Sequence, residues 1–396
     1  MMMQPAGKPV FLFVILFTNF LLVFEIASGS PSPSSSSSQS SHHSRTNRLQ
    51  KVNPNPQLLI ISLDGFPFYY YDHMIIKSLQ SIARRGVHAV RGIKSVFTTV
   101  TFPAHWSLAT GLYEESHGII GNTFYDPITN TSFNKKTSME RHWYGGEPIW
   151  VTAKRQGKKT GVYFWVGSQV DQGNKWNPDF APPYDSGVPF RDRIDTVIKW
   201  LSEDNVDLAM LYYHQPDKAG HQYGTMSHQV AEEIGKIDVE LDRMFNIMQQ
   251  KGILEQVNLI VTADHGMINL TNDEPIVIKA DDPDVAETTD VIEGGDAVVH
   301  FWTKPGKQHQ ERLIQYLFKL AFDNGIHFDF WTKEDIPAKW HYKNNPRVAP
   351  VVAVAHPGHA FLIQRVSPLH RITVFSFFPP HSLSYSPAGH LFLHFF

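Results

Sequence analysis

An α/β fold, built on a mostly parallel sheet with helices over both faces, is what the sequence predicts. Three observations carry that expectation. Short apolar, β-branched runs alternate with longer stretches of helical period along most of the chain, the pattern of strands buried between crossover helices. The 396 residues suffice for one large domain or two smaller ones. Acids stand just past two of the apolar runs, where open parallel sheets gather their ligands.

The first residues read as a targeting segment. Lys8 precedes the apolar run "VFLFVILFTNFLLVF", residues 10–24, and the small residues "ASGS" follow. The run is shorter than the roughly 20 residues a spanning helix needs. Residues 1–29 therefore read as a secretory signal peptide, with an uncleaved membrane anchor as the alternative. Residues 30–56 are a Ser-rich linker, including "PSPSSSSSQSSHHS", a composition that cannot bury a core.

The fold begins near Gln57. "LLIIS" (Leu58–Ser62) is the first strand, and "MIIKSLQSIARRG" is an amphipathic helix ending at Gly86. "GVYFWVG" and "DLAMLYY" read as strands. "SHQVAEEIGKIDVELDRMFNIMQQKG" is a long helix, with Ser227 as its N-cap and Gly252 at its end. "NLIVTADHG" is another buried strand with the turn that follows it. The strand "AVVHFW", the helix "QERLIQYLFKLAF" and the strand "APVVAVA" complete the alternation.

Composition narrows the function. A net charge of −3 gives no reason to expect a nucleic-acid-coating protein. The absence of cysteine excludes disulfides and thiolate-bound zinc, so a zinc site must use His, Asp or Glu. The sequons "NTS" at Asn130 and "NLT" at Asn269 suit a secreted glycoprotein.

Asp64 follows the first strand, and Asp264 and His265 follow "IVTA". Asp217 and His221, four apart in "PDKAGHQYG", share one face of a helical turn. Singly each is a turn or surface residue; together they combine oxygen and imidazole ligands at strand ends, as zinc and similar divalent ions require. Thr101, in "TFPAHW", stands at or just before a helix start marked by Pro103. It is either a cap or a nucleophile facing an anion at the helix N-terminus. Asn122 is either a turn residue or a donor to a phosphoryl oxygen.

These residues resemble the nucleotide pyrophosphatase/phosphodiesterases of the alkaline phosphatase superfamily. "SLDG", "TFPAHWSLATGLYEESHGIIGN", "PDKAGHQYG" and "TADHGM" occur in order between about Leu58 and His359, with Ala104 where that family more often has Asn. The resemblance implies an alkaline-phosphatase-like three-layer sandwich around a mostly parallel sheet. It also implies two divalent metal ions, usually zinc. Asp64, Asp264 and His265 would hold one, which would bind the nucleophile Thr101. Asp217, His221 and one more histidine would hold the other. Asn122 resembles the oxyanion-stabilising asparagine, and Phe102 and Tyr184 the aromatic pair around the base, with core packing as the alternative for both aromatics. The implied substrate is a nucleotide or nucleotide sugar, hydrolysed outside the cytosol, by a secreted or membrane-anchored protein, to a nucleoside 5′-monophosphate.

One ligand is missing. The third histidine of the second set normally lies in a block like "GNHGYDN", beyond a segment similar to "AHPGHAF" (Ala355–Phe361); the chain reaches that segment and no "HGYD" follows. His370, His381 and His390 lie downstream in other contexts. After Asp335 there is no acid, and the end is rich in Phe, His, Ser and Pro. A phosphodiesterase domain over 57–363, followed by an altered or truncated tail over 364–396, is expected. Impaired turnover and an exposed apolar edge are the expected consequences. The rival readings are a related phosphomonoesterase or lipid-headgroup phosphodiesterase, and a non-catalytic nucleotide- or metal-binding protein.

Overall fold

The computed structural model describes residues 56–365, apart from 174, 272 and 273, together with the backbone of 392–393. The targeting segment, most of the linker, and the tail with His370, His381 and His390 lie outside the described residues. No described helix is long and apolar enough to cross a membrane.

The elements that build the site are, in chain order, β1 (Gln57–Leu63), α1 (Lys77–Arg85), α2 (Thr101–Thr110), β2 (Thr160–Tyr163), α3 (Phe190–Ser202), β3 (Leu208–Tyr213), α4 (Asp217–Tyr223), α5 (His228–Gln250) and β4 (Val257–Thr262). The four strands form one sheet in the order β2-β3-β1-β4. Every pair in it is parallel, with Leu59 opposite Ala209 on one side and Leu259 on the other. Alternate β1 residues face opposite ways, as pleating requires. Leu59, Ile61 and Leu63 pack with Ile194 and Ile198 of α3 and Leu241 and Met244 of α5. Leu58 and Ile60 lie against the other core, with Trp106 of α2, Trp150 and Trp165. Helices thus cover both faces, as the alternation implied. Ser227 caps α5 as expected, its Oγ accepting from the Val230 N–H at 3.2 Å.

The later strands are β5 (Ile276–Lys279), β6 (Thr289–Gly295), β7 (Val298–Thr303), β8 (Phe328–Thr332), β9 (Val351–Ala355) and β10 (Phe361–Gln364), with α6 (Lys307–Asp323) between β7 and β8. "AVVHFW" and "APVVAVA" do not join the parallel sheet. They pair antiparallel with each other in a second sheet, β8-β9-β7-β6, against which α6 lays Leu313 and Leu317. β5 and β10 form a separate parallel pair.

Two strands differ from their sequence reading. "GVYFWVG" stops being a strand after Tyr163, because Phe164 adopts a left-handed φ of +65°. "NLIVT" is not a fully buried strand: among the described residues β4 pairs only with β1, and Ile260 is 48% exposed. The sequon residue Asn130 is exposed at a hairpin tip between the strands Phe124–Asp126 and Thr131–Phe133. Asn269 instead spends its side-chain oxygen on the Thr225 N–H and hydroxyl.

Candidate active site

Asp64 leaves the end of β1, Asp264 and His265 leave the end of β4, and Asp217 opens α4 just past β3. Since β3, β1 and β4 are parallel neighbours, these three ends share one edge of the sheet. Backbone hydrogen bonds fasten them. The Asp217 N–H donates to the Asp64 carbonyl at 3.0 Å, and the Gly65 N–H donates to Asp264 Oδ1 at 3.1 Å. Two motif glycines permit this approach. Gly65 has φ +64°, and a Cβ there would lie 2.8 Å from Asp217 Cβ. A Cβ on Gly220 would lie 2.5 Å from Met267 Sδ.

His265 sits among the acids with its tautomer fixed. Its Nδ1–H donates to the Gly266 carbonyl at 2.9 Å, which leaves Nε2 with the lone pair. That nitrogen lies 3.3 Å from Asp64 Oδ1 and 3.2 Å from Asp264 Oδ2. Both carboxylates are buried. Asp64 Oδ1 has no hydrogen-bond donor, while Tyr212 Oη donates to Asp64 Oδ2 at 2.5 Å. Burial, with the charges of Asp264 and Asp217 beside it, holds the Asp64 carboxyl well above the usual range. Burial would raise Asp264 too, but the His265 and His105 imidazoles hold it below its ordinary value. Buried carboxylates crowded around one imidazole nitrogen are the environment a cation relieves. The donor set, Asp and His without sulfur, suits a divalent ion, and Asp64, Asp217 and His265 each bring a ligand atom within 4.8 Å of the others. His221 Nε2 lies 3.4 Å from Asp217 Oδ1. Burial would lower its pKa, but the hydrogen bond and charge of Asp217 win and raise it.

Thr101 is the first residue of α2. The cap is Val100, which makes no side-chain hydrogen bond, so Thr101 is not a capping residue. Its Oγ1 instead lies 3.4 Å from His265 Nε2. Asn122 Oδ1 accepts from the Phe102 N–H at 2.9 Å. That bond satisfies one of the helix's first N–H groups and leaves the amide NH₂ as the end able to donate outward. Phe102 packs edge-on to Phe133 at 5.3 Å. Tyr184 is 41% exposed, not a core residue. Its ring meets Phe164 edge-on at 5.1 Å, and Lys135 Nζ lies 5.9 Å from its centre.

Three residues of this site were not singled out from the sequence. His105, one turn after Thr101, is fully buried. Its Nδ1–H donates to the Thr101 carbonyl at 2.8 Å, its Nε2 accepts from Ser62 Oγ at 2.9 Å, and Asp264 Oδ2 lies 3.2 Å from Nδ1. The i, i+4 spacing from Thr101 was the available signal. Tyr212 carried none. The third is Glu114, fully buried at the start of the short helix Glu114–His117. Its carboxylate accepts from the Phe97 N–H at 3.1 Å, the Thr98 N–H at 3.0 Å and the Thr98 hydroxyl. It thereby clamps the turn in which Thr99 takes a strained φ of +44° just ahead of Thr101.

Glu114 yields a pH prediction. Burial pushes its carboxyl up to about 8, against the opposing Thr98 and Phe97 donors. The folded state therefore holds the proton more tightly than the unfolded chain. The associated stability is full below the unfolded value of 4.5 and lost as pH rises through about 8. A shift of that size corresponds to on the order of 5 kcal/mol. Denaturant midpoints should fall from pH 5 to pH 9. Glu114→Gln should cost ~1–3 kcal/mol at pH 5 through a lost acceptor, yet flatten the slope. An unchanged slope in that variant would assign the pH dependence elsewhere.

Comparison with known proteins places this geometry. The family model described as type I phosphodiesterase / nucleotide pyrophosphatase matches residues 58–368. The bis(5′-adenosyl)-triphosphatase of Xenopus laevis is 32% identical over 76% of this chain and 65% of its own length. Human ectonucleotide pyrophosphatase/phosphodiesterase family member 5 is 31% identical over 78% of this chain and 63% of its own length. The chain thus spans a little under two thirds of these two relatives. The solved murine ectonucleotide pyrophosphatase/phosphodiesterase 5 superposes with TM-score 0.69 at 32% identity, covering 78% of this chain and 81% of that one. A second structure of the murine protein is an inactive threonine-to-alanine form in complex with AMP, with TM-score 0.68 at 32% identity over 78% of this chain and 80% of that one. The α/β, alkaline-phosphatase-like architecture expected from the sequence accords with these neighbours. With a match of that length, the chain belongs to the type I phosphodiesterase/nucleotide pyrophosphatase family.

Proposed function

We propose that this chain hydrolyses nucleotide pyrophosphate or phosphodiester bonds through a Thr101 nucleophile, releasing a nucleoside 5′-monophosphate. The observation that carries the reading is the Thr101 hydroxyl 3.4 Å from His265 Nε2, beside two buried carboxylates at a sheet edge. Two divalent ions, with zinc the expected metal, would be held by Asp64, Asp264 and His265 and by Asp217 and His221. When bound they supply a lowered hydroxyl pKa and charge stabilisation on phosphoryl oxygens. Thr101 Oγ1 attacks phosphorus, forming a phosphothreonine ester as the leaving group departs, and water then releases the nucleotide. The α2 N-terminus favours the anionic phosphoryl group, and the Asn122 amide donates to one of its oxygens. Phe102 and Tyr184 hold the base. The bis(5′-adenosyl)-triphosphatase relative and the murine AMP complex support a nucleotide substrate.

The second ligand set has Asp217 and His221 among the described residues, and no "HGYD" block occurs in the sequence. We therefore expect the first ion to be held fully and turnover to be poor. The test is hydrolysis of the p-nitrophenyl ester of thymidine 5′-monophosphate under a zinc titration, with elemental analysis of the loaded protein. Slow, zinc-dependent cleavage with about one zinc per chain is the expected result. Two tightly held zincs with rapid turnover would remove the impairment. Preference for a phosphate monoester or a choline lipid would replace the nucleotide reading, and AMP binding without cleavage of any ester would leave a nucleotide-binding protein. The exposed Asn130 is the proposed glycan acceptor of a chain that enters the secretory pathway.

A further inference from the structure

Against the Phe164 ring, which itself meets Tyr184, lies a buried cation. Arg193, on α3, is fully buried, and among the described residues no carboxylate forms an ion pair with it. Its fork is spent mainly on main-chain oxygens instead, with Nη2 also 3.4 Å from His214 Nδ1. Nε donates to the Val188 carbonyl at 3.0 Å, Nη1 to the Tyr212 carbonyl at 2.8 Å and Nη2 to the Asp185 carbonyl at 3.4 Å. The guanidinium stacks over Phe164 at 4.8 Å and Tyr213 at 5.0 Å. Burying a cation without an anion is costly, and the planar fork is what such a site uses that an ammonium cannot supply.

The acceptors define what the fork fixes. Asp185 and Val188 bracket the loop that starts at Tyr184. Phe164, on which the guanidinium stacks, holds a left-handed φ of +65° and meets the Tyr184 ring edge-on. Tyr212 is the residue whose hydroxyl reaches Asp64. We propose that Arg193 is a positioning residue for nucleoside recognition, setting the Tyr184 loop in register with the strand that supports Asp64. This rests on the function proposed above and extends it to a specificity determinant of the same site. The Tyr184 backbone has one further tether, its N–H donating to Gln169 Oε1 at 3.2 Å.

Arg193→Lys keeps the charge and loses the fork; Gln169→Ala releases the second tether without touching the buried cation. Each is compared with wild type on the p-nitrophenyl ester of thymidine 5′-monophosphate, on methyl p-nitrophenyl phosphate, which has no nucleoside, and in calorimetric binding of AMP. For Arg193→Lys we expect KM for the nucleotide ester to rise about tenfold or more, with kcat and the methyl ester within about threefold. AMP affinity should fall about tenfold, and Gln169→Ala should show the same pattern more weakly. Equal losses on both esters, or unchanged AMP affinity in both variants, or no AMP binding by wild type, would overturn the proposal. If Arg193→Lys does not fold, Gln169→Ala decides. Should wild type cleave neither ester, the proposed hydrolase fails, while the AMP affinities still decide the role of Arg193.

Discussion

Thr101→Ala is expected to lower kcat on nucleotide esters by at least about 10³, deletion of a covalent nucleophile costing on the order of 10⁶ in a well-studied hydrolase, while AMP affinity stays within about threefold. The two halves of that expectation come from different parts of the site. The hydroxyl at the head of α2 faces His265 Nε2, whereas the nearby Thr98 and Ser62 hydroxyls are tied to Glu114 and His105 and that of Tyr212 to Asp64. The proposed base contacts, Phe102 and Tyr184, are left alone by the substitution. Thr101→Ser keeps the oxygen but drops the methyl group, so it should retain measurable turnover. Retention of more than about a hundredth of wild-type kcat by Thr101→Ala would dismiss threonine as nucleophile. A comparable fall in AMP affinity would instead point to collapse of the helix start.

The distribution of what the sequence foretold has a physical pattern. Asp64, Asp264, His265 and Thr101 were legible because each follows a strand or opens a helix, so local period alone places it at an element's end. The four parallel strands were legible for the same reason. The antiparallel pairing of "AVVHFW" with "APVVAVA" was not, since both orientations bury equally apolar strands and the choice depends on segments some 50 residues apart. The edge position of "NLIVT" was likewise a matter of which strand found which neighbour. His105, Tyr212, Glu114 and Arg193 were missed because their roles lie in partners. Tyr212 reaches Asp64 across 148 positions and His105 reaches Ser62 across 43. Read singly, they are ordinary core residues of three helices and a strand. Tyr184 was legible only as a match to a pattern, and its exposure and its place over Phe164 are what remove core packing as the alternative.

Neutralising Asp64 is expected to move stability in opposite directions with and without metal. In protein stripped with EDTA, Asp64→Asn should raise the melting temperature, by about 1–2 °C per kcal/mol relieved for a domain of about 300 residues. Burial and the Asp264 and Asp217 charges penalise the Asp64 carboxylate, and an amide removes the charge while keeping an oxygen to accept from Tyr212 Oη. With zinc the order should reverse. A ligand that binds only the folded state at about 100 times its Kd adds about 2.7 kcal/mol. An amide in place of the carboxylate should weaken the site at least as much as the ~10–100-fold typical of changes one layer further out. Wild type should then gain the larger zinc increment, and the two melting curves should cross between the EDTA and zinc conditions. The pH dependence must agree. The raised folded-state value of Asp64 makes the metal-free wild type lose stability as pH climbs above the ordinary carboxylate range, and Asp64→Asn should lose less. If the variant is instead less stable in EDTA and keeps the full zinc increment, Asp64 is a structural acceptor for Tyr212, and the metal site must be built from other residues.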